Sequence, residues 1–290
     1  MNPSETIQKP ARDLTIPQFH RRILCFDTET TGLMPKHKRG DPFPPDSQYP
    51  HIMQISWIVY NVATNLIEEV VNEYVKISPQ VEIEDGASKV SGITREITDK
   101  KGVDLAPLLI RFYAAYMKCD CIVAHNLHFD GEVVRKEMWR NRANFMTILK
   151  NQERVNLMTG VFTKKYNAAY HIDTFCTMMN TIDLCGIQFV PKEPVAIISE
   201  SPEEPASASV PVPAPVQNNR KKFPTMKELY CKLFDSETQP KDLHNSIVDV
   251  LVCLRCFLKV RGAKEMSEKY FQRLVSQYSR PEPVVEPVLE

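Results

Sequence analysis

In the stretch CFDTETTGL, residues 25–33, Asp27 and Glu29 stand two apart, behind the apolar run Ile23-Leu24-Cys25-Phe26 and ahead of Gly32. A strand repeats its side-chain direction every second residue, so both carboxylates project from one face at the end of that run. Two carboxylates so close repel each other. They are stable together with a bound cation, a shared proton or full solvation, and a divalent metal is the arrangement most often put to work. For this pair alone, a solvated strand end with Thr28, Thr30 and Thr31 as ordinary turn residues accounts for the sequence equally well.

Further acids decide between the two. Asp130, in IVAHNLHFDGEVV, opens a helix after a short strand, where a β–α junction delivers side chains to the C-terminal rim of a sheet. Asp249, in DLHNSIVDVLVC, lies one turn inside an apolar helix, where an unpaired charge is costly to bury. Taken alone, Asp249 reads as closing a Ser246-x-x-Asp249 capping box. His244 precedes Asp249 by five residues. Positions five apart on a helix diverge by about 140°, so His244 belongs to the loop or first turn before it, with Asn245 or Ser246 as N-cap. Asp173, in IDTFCTMM, reads as the cap of a strand-to-helix junction.

The elements that must position these residues alternate in an α/β manner. RRILCF reads as a buried strand, IMQISWIVYN and VVNEYVKI as a following pair, and CIVAHN as a later short strand. Leu105, Leu108, Leu109, Phe112, Ala115 and Tyr116 recur at helical spacing, and GEVVRKEMWRNRA reads as a further helix. TMKELYCKLF and SIVDVLVCLRCFLKV carry helical periodicity, the second apolar enough to pack tightly against a sheet. Residues 34–50 read as an irregular loop. The segment PKEPVAIISESPEEPASASVPVPAPV cannot supply a packed core and marks a linker or insertion. The expected organisation is an N-terminal tail over residues 1–19, one domain over 20–189 and 223–275, a proline-rich insertion over 190–222, and a disordered tail over 276–290.

At 290 residues and 43% hydrophobic content the chain can bury a sizeable core. Lysine plus arginine equals aspartate plus glutamate at 36 each, so net charge does not announce a nucleic-acid partner. Local charge is more informative: from Arg135 to Lys165 there are Arg135, Lys136, Arg140, Arg142, Lys150, Arg154, Lys164 and Lys165, against only Glu137 and Glu153. That stretch can steer phosphates, and solvated helix faces would explain it too. The N-terminus lacks the apolar region of a signal peptide and no run is long enough to span a membrane. An intracellular protein, cytoplasmic or nuclear and not secreted, is expected. The eight cysteines, including the Cys253-x-x-Cys256 pair, read as reduced core thiols rather than disulfides or zinc ligands.

Together, FDTETTGL, AHNLHFD and HNSIVD resemble the motifs of the DEDDh 3′–5′ exonucleases, a ribonuclease H-like family that includes the epsilon proofreading subunit of bacterial replicative polymerases. VSGIT, HIDTFCTMMN and FPTMKELYCKLF look like family segments as well, and the likeness extends over most of residues 20–262. It implies an α/β fold with a mixed central sheet flanked by helices. It also implies that Asp27, Glu29, Asp130 and Asp249 hold two divalent cations, Mg2+ or Mn2+, with Asp27 bridging and Asp130 acting partly through water. His244 is then the general base, since an imidazole takes up a proton near neutral pH. Two ions about 3.5–4 Å apart suit hydrolysis of a phosphodiester, and all-oxygen ligands suit hard cations.

By the same resemblance Thr30, Thr31, Gly32 and Leu33 cradle the terminal nucleotide, while His125, Asn126 and Phe129 arrange the Asp130 loop and His125 approaches that nucleotide. His128 reads as a surface or packing residue. The expected substrate is the 3′ end of single-stranded or frayed DNA, trimmed or proofread with release of nucleoside 5′-monophosphates. A DNA polymerase or another protein docking on the proline-rich segments is the expected partner, and no membrane is. Two other readings compete. One is an exonuclease of RNA 3′ ends, which the motifs do not separate from a DNA enzyme; the other is a non-catalytic polymerase- or nucleic-acid-binding module, against which the complete set of five residues argues.

Overall fold

Residues 20–38, 40–189, 221–234 and 242–279 are described by the structure, a computed structural model. Within them the first strand, β1 (Arg22–Thr30), divides its side chains between two cores. Leu24 and Phe26 enter one and Ile23 and Cys25 the other, as the two-residue period of a strand requires. β2 (Ile52–Asn61) and β3 (Leu66–Tyr74) continue the sheet on one side as an antiparallel meander. β4 (Cys121–Ala124) and β5 (Asp173–Cys176) extend it on the other side, parallel to β1. The order is β3-β2-β1-β4-β5.

Between β3 and β4 lie α1 (Asp85–Ser91), α2 (Arg95–Lys101) and α3 (Leu105–Lys118). Between β4 and β5 lie α4 (Leu127–Arg140), α5 (Arg142–Leu149), α6 (Gln152–Met158) and α7 (Lys164–Ala169). After β5 come α8 (Thr177–Asn180), α9 (Ile182–Cys185), α10 (Met226–Leu233), α11 (Ser246–Val260) and α12 (Glu268–Tyr278). α3 and α4 cover one face of the sheet through Leu109, Phe112, Val133, Val134 and Met138. α11 covers the other. It is apolar nearly all round because the sheet lies on one side of it and α10 and α12 on the other, and Leu251, Leu254 and Phe257 are fully buried. Its one buried cation, Arg255, is held by Tyr230 and Glu268 and packs on the rings of Phe234 and Phe271.

This is the mixed sheet flanked by helices that the sequence implies. Several local readings differ from what forms: the strand read over VVNEYVKI runs instead as Leu66–Tyr74, and the helix read over GEVVRKEMWRNRA is interrupted at Asn141 between α4 and α5. Asp173 does not cap a helix: it opens β5 and takes a hydrogen bond from His20 Nε2 at 2.7 Å, while the Cys176 sulfur caps α8. The Ser246–Asp249 box, which Asp249 taken alone suggests, does not form; both side chains make longer-range bonds, described below. α12 runs to Tyr278, so residues 276–278, expected in the C-terminal tail, are helical. The expected N-terminal tail, residues 190–220 of the insertion and residues 280–290 lie outside the described residues. Cys253 and Cys256 are free and buried, as core thiols should be.

Candidate active site

β1 delivers Asp27 and Glu29 to the face that α11 covers, and α11 brings Asp249 to meet them. Each of the three offers a carboxylate oxygen, and these oxygens lie within 4.8 Å of one another. α11 is anchored at this point by the Ser246 hydroxyl, which donates to the Asp27 carbonyl at 2.9 Å. Asp130 arrives from the opposite layer, in the first turn of α4, and is buried. Its Oδ1 accepts from the Thr28 amide at 3.1 Å and the Thr28 hydroxyl at 2.7 Å. Three of the four expected acids are therefore gathered in one cluster, and the fourth is fixed behind β1 through the threonine between the first two.

Electrostatics single out the same place. Burial pushes the Asp27 carboxyl up to about 7, with the Ser246 hydroxyl pulling the other way. Asp130 is also raised, first by burial and then by the charge of Asp27. A compensating cation favours the ionised form of desolvated acids that face one another. Their donor set, carboxylate oxygen throughout, fits a hard divalent ion and not a soft one.

His244 sits in the turn that leads into α11, with a left-handed φ of 70°. Its backbone amide donates to Asp249 Oδ2 at 2.9 Å, and its side chain is exposed. Asn245 is the N-cap residue. It braces the turn by donating to Asp242 Oδ2 and to the Tyr278 carbonyl at the end of α12, 2.9 and 3.0 Å away.

Beside the acids a cavity of about 390 Å³ is lined by Thr28, Glu29, Thr30, Gly32 and Leu33 from β1 and its turn, by Glu84, Gly86, Ala87 and Val90 at α1, and by Phe129 from α4. Leu33 is 77% and Val90 56% exposed, giving the cavity apolar walls. Thr30 spends its hydroxyl on the Gly32 carbonyl and Thr31 accepts from the His51 amide, so both shape the turn. A Cβ on Gly32 would meet the Glu84 carboxylate at 2.2 Å. Asn126 holds the left-handed position ahead of α4 with a φ of 68°. His125, expected to approach the nucleotide, has both ring nitrogens engaged inside the protein, Nδ1 with Thr177 Oγ1 at 2.9 Å and Nε2 with the Pro224 carbonyl at 3.1 Å. Burial lowers it to about 4, so it stays neutral and acts as a strut. Thr28, inside the D-T-E motif, and Glu84, Gly86 and Ala87 of the α1 wall have no sequence signal as site residues.

The RNase T exonuclease family matches residues 24–182, more than half of the chain and a span that includes Asp27, Glu29 and Asp130. The chain belongs to this exonuclease family. Among solved structures, similar chains include E. coli exonuclease I in a zinc-bound complex with single-stranded DNA, at a TM-score of 0.52 and 17% identity over 83% of this chain and 41% of that one. The same E. coli enzyme with a dA16 oligonucleotide gives 0.51 and 18%, over 89% of this chain and 42% of that one. These likenesses show the exonuclease fold, and this chain spans less than half the length of those proteins. Comparison with curated proteins finds no match. No helix among the described residues is long and apolar enough to cross a membrane.

Proposed function

We propose that this family member is a divalent-metal-dependent 3′–5′ exonuclease that hydrolyses the terminal phosphodiester of single-stranded or frayed DNA and releases nucleoside 5′-monophosphates. The observation that carries this reading is the meeting of Asp27, Glu29 and Asp249 within 4.8 Å at the mouth of an apolar-walled cavity. Those three acids, with Asp130 behind them, would hold two Mg2+ or Mn2+ ions. Bound there, such ions activate the attacking water and stabilise the leaving oxygen.

The chain's own groups do the rest. Leu33, Val90 and Phe129 sandwich the terminal base and exclude water from it, and the turn at Thr30–Gly32 offers backbone to the sugar. His244, on a turn outside the helix, takes the proton of the attacking water and returns it to solvent, while Asp249 stays fixed by the helix. The E. coli structures contain single-stranded DNA, which favours a DNA strand as substrate here.

Matched, 3′-end-labelled single-stranded DNA, mismatched duplex and RNA, incubated with magnesium, test the proposal. Stepwise release of mononucleotides from the DNA substrates is expected. Faster release from RNA would make this an RNA-trimming enzyme, and no release from any of them would leave a binding module of the same fold.

A further inference from the structure

Away from the acidic cluster, the far end of α4 exposes an aromatic ring. Trp139 keeps 44% of its surface exposed, whereas Trp57, the chain's other tryptophan, is fully buried. The Arg142 guanidinium lies over the Trp139 ring, 5.4 Å from its centroid. Next to this pair is a groove of about 390 Å³ between α5 and α6, whose walls include Met146 and Val155 and the polar side chains of Gln152, Asn156 and Thr159.

Arg142 lines the groove, and Lys150, the C-cap of α5, and Arg154, on α6, belong to the two helices that form it. Of the eight cations between residues 135 and 165, Arg135, Lys136 and Arg140 are neutralised by Glu132, Asp46 and Glu137. Arg142, Lys150, Arg154, Lys164 and Lys165 form no ion pair among the described residues. α4 carries Asp130 in its first turn and Trp139 near its other end. His128, Glu132, Arg135 and Trp139 follow one another at spacings of four, three and four, which places them on one stripe of the helix. That stripe is the exposed side of α4, turned about 140–180° round the axis from buried Asp130, and it runs from the turn that carries Asp130 to nine residues beyond it, about 13.5 Å along the axis.

We propose that the Trp139–Arg142 groove is a subsite for an unpaired nucleobase upstream of the scissile bond, on the strand whose 3′ end lies at Asp27. A nucleobase offers a flat face for stacking and a polar edge for hydrogen bonds. Trp139 supplies the face, Arg142 extends it as a second stacking plane, and the Gln152 and Asn156 amides meet the edge. Every base has such a face, so the subsite grips the strand without reading its sequence, and the unpaired cations attract its phosphates. A processive grip on a strand long enough to span the stripe is the consequence.

This inference rests on the nuclease reading, and the two can fail separately. Trp139→Ala should raise KM for single-stranded DNA of about ten nucleotides by about five- to a hundredfold, with kcat held. The change on a dinucleotide, too short to reach the groove, should be far smaller. Trp139→Phe, which keeps a ring, should restore most of the loss, and Arg142→Ala should flatten the salt dependence of binding by a slope of about 0.7. Binding is also readable without hydrolysis. Addition of the oligonucleotide should quench the emission of exposed Trp139 in the wild type and leave the Trp139→Phe emission, from core Trp57, unchanged. A strand that binds without quenching Trp139, or a Trp139→Ala enzyme with the wild-type KM on the longer strand, overturns the subsite. A wild type that quenches on binding yet releases no nucleotide retains the subsite and sinks the nuclease reading.

Discussion

The backbone amide of His244 donates to Asp249 Oδ2 at 2.9 Å, so one acid of the cluster holds the turn that carries the candidate base. Because the donor is the main chain, His244→Ala keeps this bond and removes only the imidazole. The variant should bind magnesium and single-stranded DNA as the wild type does and lose about 10² to 10⁴ in kcat. Its rate should recover in part at high pH, where free hydroxide replaces the base. Turnover within a few-fold of wild type at pH 7 under saturating metal would place the base elsewhere.

Asp27 makes the metal-free protein sensitive to pH. Its carboxyl is raised to about 7 in the fold, against about 3.9 in an unfolded chain, so the native state binds the proton more tightly and loses stability as pH rises across that interval. Asp27→Asn removes this cost along with hydrolysis. Without metal, the variant's melting temperature should exceed that of the wild type by more at about pH 8 than at about pH 5. Magnesium should stabilise the wild type and have much less effect on the variant. An equal gap at both pH values would show that the carboxyl is not desolvated.

Thr28 reaches Asp130 with both its amide and its hydroxyl, and only the hydroxyl can be removed by substitution. Thr28→Val, nearly identical in shape, should weaken magnesium binding or activity by about 10- to 100-fold, the usual effect of losing a group that orients a metal ligand. Thr28→Ser should restore it. Calorimetric titration of magnesium separates this from a general loss of fold, and unchanged affinity in Thr28→Val would remove the threonine from the site.

The two ends of the proline-rich insertion are brought together by the fold. Gln188 and Lys221 form an antiparallel bridge, and the Lys222 amide donates to the Ile187 carbonyl at 2.9 Å. Replacing Glu193–Gln217 with a short glycine-serine link should therefore leave nuclease activity on short oligonucleotides nearly unchanged, since closing a loop between adjacent ends costs little. Insoluble or inactive protein would mean that the segment contributes to the core.

The sequence by itself determined which acids are available and the main strands and helices that carry them. Asp27 and Glu29 share a face because a strand repeats every two residues, and SIVDVLVCLRCFLKV forms α11 over the full span of its apolar pattern. The helix period also places His244 before α11 rather than on it. Such relationships depend on neighbours a few residues away, and backbone geometry fixes them. What the tertiary structure decided joins residues far apart in the chain. Asp130 lies in the opposite layer from the other acids and is tied to Thr28, 102 positions away. Ser246 locks α11 to β1 across 219 positions. Both nitrogens of His125 are turned inward by Thr177 and Pro224. Asp173, which reads locally as a helix cap, is drawn instead to His20 at the end of a strand. A local motif states which groups are available, but partners across the sheet compete for the same polar atoms, and packing settles which of them meet.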